Sequence, residues 1–228
     1  MGHIGIDSLY LFLVLPAILI AVWSQVRVKT TFSKYSQFRC GISGAEAAER
    51  VLAANGVIGV RIERVSGNLT DHYDPRTNVI RLSDSVYSSC SISAVGVAAH
   101  EAGHAVQYAQ GYMPIKIRSV ILPVCNLGSQ LSLPLILVGL IFDFMLLINL
   151  GIIFFCAALI FQLLTLPVEY NASRRAVTAI AESNLLTGEN DIKGAKKVLS
   201  AAAMTYVAAI LVSLTQLIRL IAISKRRR

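Results

Sequence analysis

The hydrophobic positions of this chain are gathered into runs of about twenty residues, the length that a bilayer's hydrocarbon core demands. Four such runs stand at 8–23, 119–142, 144–166 and 201–223. No Lys or Arg precedes the first run and several follow it, so it reads as a retained span and not as a cleaved signal peptide. The second contains Asn126, Gln130 and Pro134, residues that in a span usually face neighbouring helices. A turn around Asp143 leads into the third, the least ambiguous run. The fourth carries Tyr206, Gln216 and Arg219, and reads either as another span or as an amphipathic helix packed on the polar part.

Two polar stretches, 25–116 and 167–200, lie between these runs. Ser43, with Glu46 three positions later, has the pattern of a capped helix start, and the helix over 44–56 closes at Gly56. Residues 57–65 alternate like a strand. Asp74-Pro75-Arg76-Thr77-Asn78 is turn chemistry, and Val79 to Ser83 reads as the returning strand of a hairpin. Asn78 to Ser83 is also a candidate edge strand for pairing with an extended substrate. A helix is predicted from Ile92 to Ala109, and Pro167 is suited to the first turn of another. The pattern predicts a mainly α membrane protein, with three or four transmembrane helices and a small α+β polar domain. That domain is built from 25–116 and 167–200.

Composition agrees: 55% of the 228 residues are hydrophobic and 15% are charged, with a mean hydropathy of +0.63. The net charge of +8 would raise the question of nucleic acid in a soluble protein. Here Arg27 and Lys29 follow the first run and Lys225 to Arg228 close the chain, positions that set topology and meet anionic lipid. No nucleic-acid recognition motif accompanies them. Cys40, Cys90, Cys125 and Cys156 form no CxxC and suggest neither a cysteine zinc site nor a disulfide framework.

The chemistry lies in AAHEAGHAVQ, residues 98–107. His100 and His104 are four apart, so on a helix both imidazoles reach one metal ion. Glu101 adjoins the first ligand, where its carboxylate can take a proton from a water activated by zinc. A catalytic zinc needs a third protein ligand, and no histidine follows His104. Asp143, Glu169, Glu182, Glu189 and Asp191 are the acidic candidates downstream. Glu169 stands out at the start of the helix expected at Pro167, although there it could simply serve the helix's positive end. Arg174 and Arg175 could stabilise an oxyanion or be a basic pair flanking the membrane. His72 could donate to a transition state or be a turn histidine, and His3 is incidental.

Four segments in this order, GISGAEAAERVL, LTDHYDPRTNVIRLS, AAHEAGHAVQ and PVEYNASRRA, resemble the bacterial YugP-type neutral zinc metallopeptidases over nearly the whole chain. More distantly, the layout is similar to gluzincin membrane peptidases, the HtpX-type proteases and the prenyl-protein endopeptidases. The resemblance implies a zincin-like (mini-gluzincin) catalytic domain with one zinc per chain, held by His100, His104 and Glu169, and Glu101 as catalytic base. In those relatives an aspartate four positions after the ligand glutamate would orient the first histidine; Ser173 stands there in this chain. It further implies hydrolysis of peptides or membrane proteins at the bacterial inner membrane. The Lys and Arg residues around the first three runs place the catalytic part in the cytoplasm; Lys225 to Arg228 agree if 201–223 packs on the polar part and conflict if that run crosses the membrane. A different reading is a catalytically silent membrane adaptor or chaperone with a structural metal site; a fourth protein ligand would favour it. A channel or transporter is weaker, because no charged relay lies in mid-run.

Overall fold

The computed structural model describes residues 8–226; His3, Arg227 and Arg228 lie outside the described residues. A π-helical turn, Tyr10–Val14, leads into α1 (Leu15–Ser36). There follow α2 (Gly44–Ala54), the strands β1 (Arg61–Val65), β2 (His72–Asp74) and β3 (Val79–Ser83), and α3 (Ile92–Ala109). Three long helices complete the chain: α4 (Met113–Ile141), α5 (Met145–Glu182) and α6 (Glu189–Arg226). Among the described residues, four helices are long and apolar enough to cross a membrane: Tyr10–Ser36, Met113–Ile141, Met145–Glu182 and Glu189–Lys225. The protein is thus mainly helical, with four candidate membrane helices and one small sheet.

Several elements outrun their apolar stretches. The first helix continues past Trp23 to Ser36 because no Gly or Pro intervenes between Pro16 and Gly41. Its hydroxyls bond back to the helix's own carbonyls, Thr30 Oγ1 reaching Val26 O at 2.9 Å. Pro167 does not start a helix, as its sequence position suggested; it lies inside α5. Proline's fixed φ is helical, so the signal that marks a first turn is equally compatible with the interior of a membrane-crossing helix. The apolar stretch 201–223 is the continuation of a helix that begins at Glu189.

The chain folds into two compact units, taken here one at a time. The apolar unit contains Ile117–Leu166 and the residues flanking it at both chain ends, up to Gln25 and from Thr205. Within it, α4 and α5 pack through glycines. A Cβ on Gly151 would come within 2.8 Å of Ser132 O, and one on Gly139 within 2.8 Å of Ile148 N. Asp143 takes a left-handed φ of 53° in the turn joining the two helices.

The polar unit comprises Val26–Lys116 and Pro167–Met204. Its sheet has the order β1-β3-β2, with β3 parallel to β1 and antiparallel to β2. Val79 to Ser83 is therefore the central strand, not the edge strand expected. Val79, Ile80 and Leu82 are fully buried, and a strand covered on both sides reads as a continuous apolar run. The β2–β3 hairpin turns at Asp74, whose carboxylate accepts from Arg76 N and Thr77 Oγ1.

Two caps then fix the helices around the site. Ser43 accepts from Glu46 N at the start of α2, and Ser91 accepts from Ala94 N at the start of α3. The segment after α1 is tied to the start of α3 by Cys40 N–H to Cys90 O at 3.0 Å and Ile92 N–H to Phe38 O at 3.1 Å. Alanines 94, 98, 99, 102 and 105 bury α3 in the polar unit's core, and their small side chains let α2, α5 and α6 come close.

At the start of α2, a Cβ on Gly44 would collide with the Val86 carbonyl, a backbone atom that cannot rotate away. Gly44→Ala is expected to destabilise the polar unit by about 2–3 kcal/mol, as overpacking does. Chemical denaturation of the detergent-solubilised protein measures the loss; an unchanged midpoint would contradict the packing described for α2.

Candidate metal centre

Helical spacing sets His100 and His104 on one face of α3, with ring centroids 4.7 Å apart. Gly103, between them, allows α5 to lie directly against that face, since a Cβ there would sit 2.9 Å from Ala172 O. The contact carries Glu169 to the histidines. Its Oε2 is 3.2 Å from His100 Nε2 and 3.5 Å from His104 Nε2. One ligand atom from each of the three residues lies within 4.8 Å of the others. Asp143 belongs to the other unit, and Glu182 and Glu189 are exposed.

The donor set suits a zinc ion on chemical grounds. Two imidazole nitrogens and one carboxylate oxygen are zinc ligands, and here they converge with little exposure, Glu169 at 2% and His104 at 7%. The rear nitrogens of both rings are occupied. Ser173 Oγ lies 3.2 Å from His100 Nδ1, and Gln107 Oε1 lies 3.0 Å from His104 Nδ1. Each ring thus turns Nε2 towards Glu169.

Glu101, one turn position from the ligands, is buried in the wall of the same helix. Burial pushes its carboxyl up to about 7. The nearby His100 ring opposes this rise, while the Glu169 and Asp71 carboxylates add to it. Asp71 is itself raised by burial, although it accepts hydrogen bonds from Ser83 N at 2.7 Å and Ser83 Oγ at 3.0 Å.

The other residues singled out in the sequence are placed as follows. His72 is exposed on β2, with Nδ1 2.8 Å from Thr70 O. Arg174 is exposed. Arg175 is engaged structurally: Nε donates to Asn171 Oδ1 at 2.8 Å and Nη1 to Gln110 Oε1 at 2.6 Å. Two residues at the site went unremarked in the sequence, Gln107 and Asn171. Gln107 stands three positions after His104, a same-face spacing that was an available signal, whereas Asn171, two after Glu169, carried none.

A buried helical HExxH pair met by a glutamate from a later helix is a donor set that could hold a zinc ion, and four helices of this chain are long and apolar enough to cross a membrane. Comparison with known proteins agrees, and the chain belongs to the family described as "Putative neutral zinc metallopeptidase", whose model matches residues 10–225. It is 48% identical over 217 residues to the "Putative membrane protease YugP" of Bacillus subtilis (strain 168), covering 94% of this chain and 96% of that protein. No solved structure matches the chain.

The raised Glu101 carboxyl has a consequence for stability. A group whose folded pKa exceeds its unfolded value of 4.5 costs stability once both states are ionised, above about pH 7, and nothing once both are protonated. Chelator-treated Glu101→Gln is therefore expected to be more stable than chelator-treated wild type at pH 8, by on the order of 3 kcal/mol. The gap should close as pH falls towards 4.5. Thermal unfolding in detergent across that range checks both the sign and the window.

Proposed function

We propose that the protein is a zinc-dependent endopeptidase of the gluzincin type, embedded in the membrane and acting on peptides or membrane proteins. The observation that carries this reading is the convergence of His100, His104 and Glu169 beside the buried carboxyl of Glu101. Three protein ligands leave one position of a tetrahedral set for water or substrate, which favours catalysis over a structural site in a silent adaptor or chaperone. The family and the name of the Bacillus relative support the same reading.

In this reading one zinc ion is held per chain by His100, His104 and Glu169, and supplies Lewis acidity for polarising the scissile carbonyl and activating water. Glu101 takes the proton of the attacking water and returns it to the leaving amine. A carboxyl poised near neutrality suits both halves of that exchange. Ser173 supports His100 through the ring's rear nitrogen. Arg175 braces α5 through Asn171 and Gln110, so it is a bracing residue and not an oxyanion donor. His72 keeps a proton on Nδ1 for the Thr70 carbonyl, the place of a turn histidine.

The polar unit is assigned to the cytoplasmic side of the bacterial inner membrane. The support is the run of Arg27, Lys29, Lys34 and Arg39 after the first apolar stretch, with Lys116 and Arg118 before the second. Single cysteines replacing Arg39 and Lys193 in a cysteine-free background should resist a membrane-impermeant thiol reagent in intact cells. One replacing Asp143 should react. Labelling at 39 and 193 with protection at 143 would overturn the orientation.

Two substitutions test the mechanism. Glu101→Gln should retain one zinc per chain by elemental analysis and lose at least about a thousandfold of hydrolytic rate, since a general base is removed. Glu169→Gln should weaken zinc binding by about 10-fold or more, as an anionic ligand becomes neutral. Full casein or membrane-protein hydrolysis by Glu101→Gln would exclude the proposed base.

A further inference from the structure

Gln107 is uncharged, polar and completely buried, a costly placement unless its donors and acceptor are matched. They are matched, and in a way that leaves its side chain a single orientation. Nε2 lies 2.9 Å from Val168 O and 2.9 Å from Asn171 Oδ1. A backbone carbonyl can only accept, so the amide nitrogen must face Val168. Oε1 is thereby turned to His104 Nδ1, 3.0 Å away, and an amide oxygen also only accepts. The proton of a neutral His104 ring must then be on Nδ1, and the lone pair on Nε2, the nitrogen that faces Glu169. His100 has no such constraint, because the Ser173 hydroxyl behind it can donate or accept.

The same amide acts on the third ligand. Val168 immediately precedes Glu169, so a bond to its carbonyl fixes the turn of α5 that presents the carboxylate. Asn171 is fixed in turn: its Oδ1 receives Gln107 Nε2 and Arg175 Nε, two donors that only an oxygen can satisfy.

We propose that Gln107 is a positioning residue which selects the metal-binding tautomer of His104 and, through the Val168 carbonyl, sets the register of Glu169. One side chain would thus couple two ligands, on α3 and α5, through a bond that spans 61 positions of the chain from Gln107 to Val168. The inference rests on the reading of His104 and Glu169 as zinc ligands.

Its test is spectroscopic before it is enzymatic. The chain has four histidines, so full-length protein in detergent, labelled with 15N in histidine alone, gives a spectrum assignable by single replacements. In chelator-treated wild type at pH 8, His104 is expected as the Nδ1–H tautomer. Gln107→Met, close in volume but unable to accept or donate, should lose that signature and bind zinc about 10- to 100-fold more weakly in chelator competition. Wild type with His104 as the Nε2–H tautomer would overturn the inference, even if Gln107→Met failed to fold. A folded Gln107→Met with wild-type zinc affinity and an unchanged His104 signature would also overturn it. Either result leaves the ligand assignment standing, provided that wild type binds zinc; wild type that binds none refutes the ligand assignment itself.

Discussion

Everything at the centre depends on how closely two helix backbones approach. Gly103 lies between the two histidines, and Ala172 lies three residues after Glu169, so a close backbone contact of α3 with α5 falls where the candidate ligands meet. A side chain at 103 would press on the Ala172 backbone and push the two helices apart at this point. The alanines of α3 extend this closeness along the helix, and Gly96 continues it against Ala195 of α6. A small, nearly featureless helix surface is what lets residues distant in sequence make a compact group of polar atoms. The cost is little apolar area per residue, which the caps at Ser43 and Ser91 and the sheet partly offset.

Polar atoms placed in so dry a setting must either be matched or change their chemistry. Gln107 is matched through His104, Val168 and Asn171, and Asn171 Oδ1 through Gln107 and Arg175. Glu101 changes its chemistry, since its carboxyl is pushed towards neutrality by burial. Asp71 falls between the two, raised by burial and held by Ser83, the last residue of β3. The end of β3 is thus tied through Asp71 to the electrostatics of Glu101, although the sheet contributes no ligand.

Much of this could be read from the chain. The apolar runs gave the membrane helices, the period of four in HEAGH gave one face of a helix, and the turn at Asp74 gave the hairpin. What failed were the ends and the neighbours. Helices α1 and α5 ran past their apolar stretches because a run's end marks where lipid contact stops, not where hydrogen bonding stops. Pro167 misled because proline at a helix start and proline inside a long helix share one φ. The central place of β3 was hidden because parallel pairing with β1 is a tertiary fact. Strand alternation in 57–65 shows a face, not a partner. Gln107 was passed over because a glutamine on a helix is ordinarily a solvated residue, and only the facing Val168 carbonyl reveals its task.

Among the described residues, no carboxylate bonds the rear nitrogen of either histidine. A hydroxyl stands behind one and an amide behind the other, whereas an anionic partner would make each ring a stronger electron donor. An ion held by such rings keeps more of its own positive charge and is held less tenaciously. At the zinc site proposed above, the arrangement would favour reactivity over retention: the metal would exchange with the surrounding pool, and occupancy would follow how much zinc is on offer.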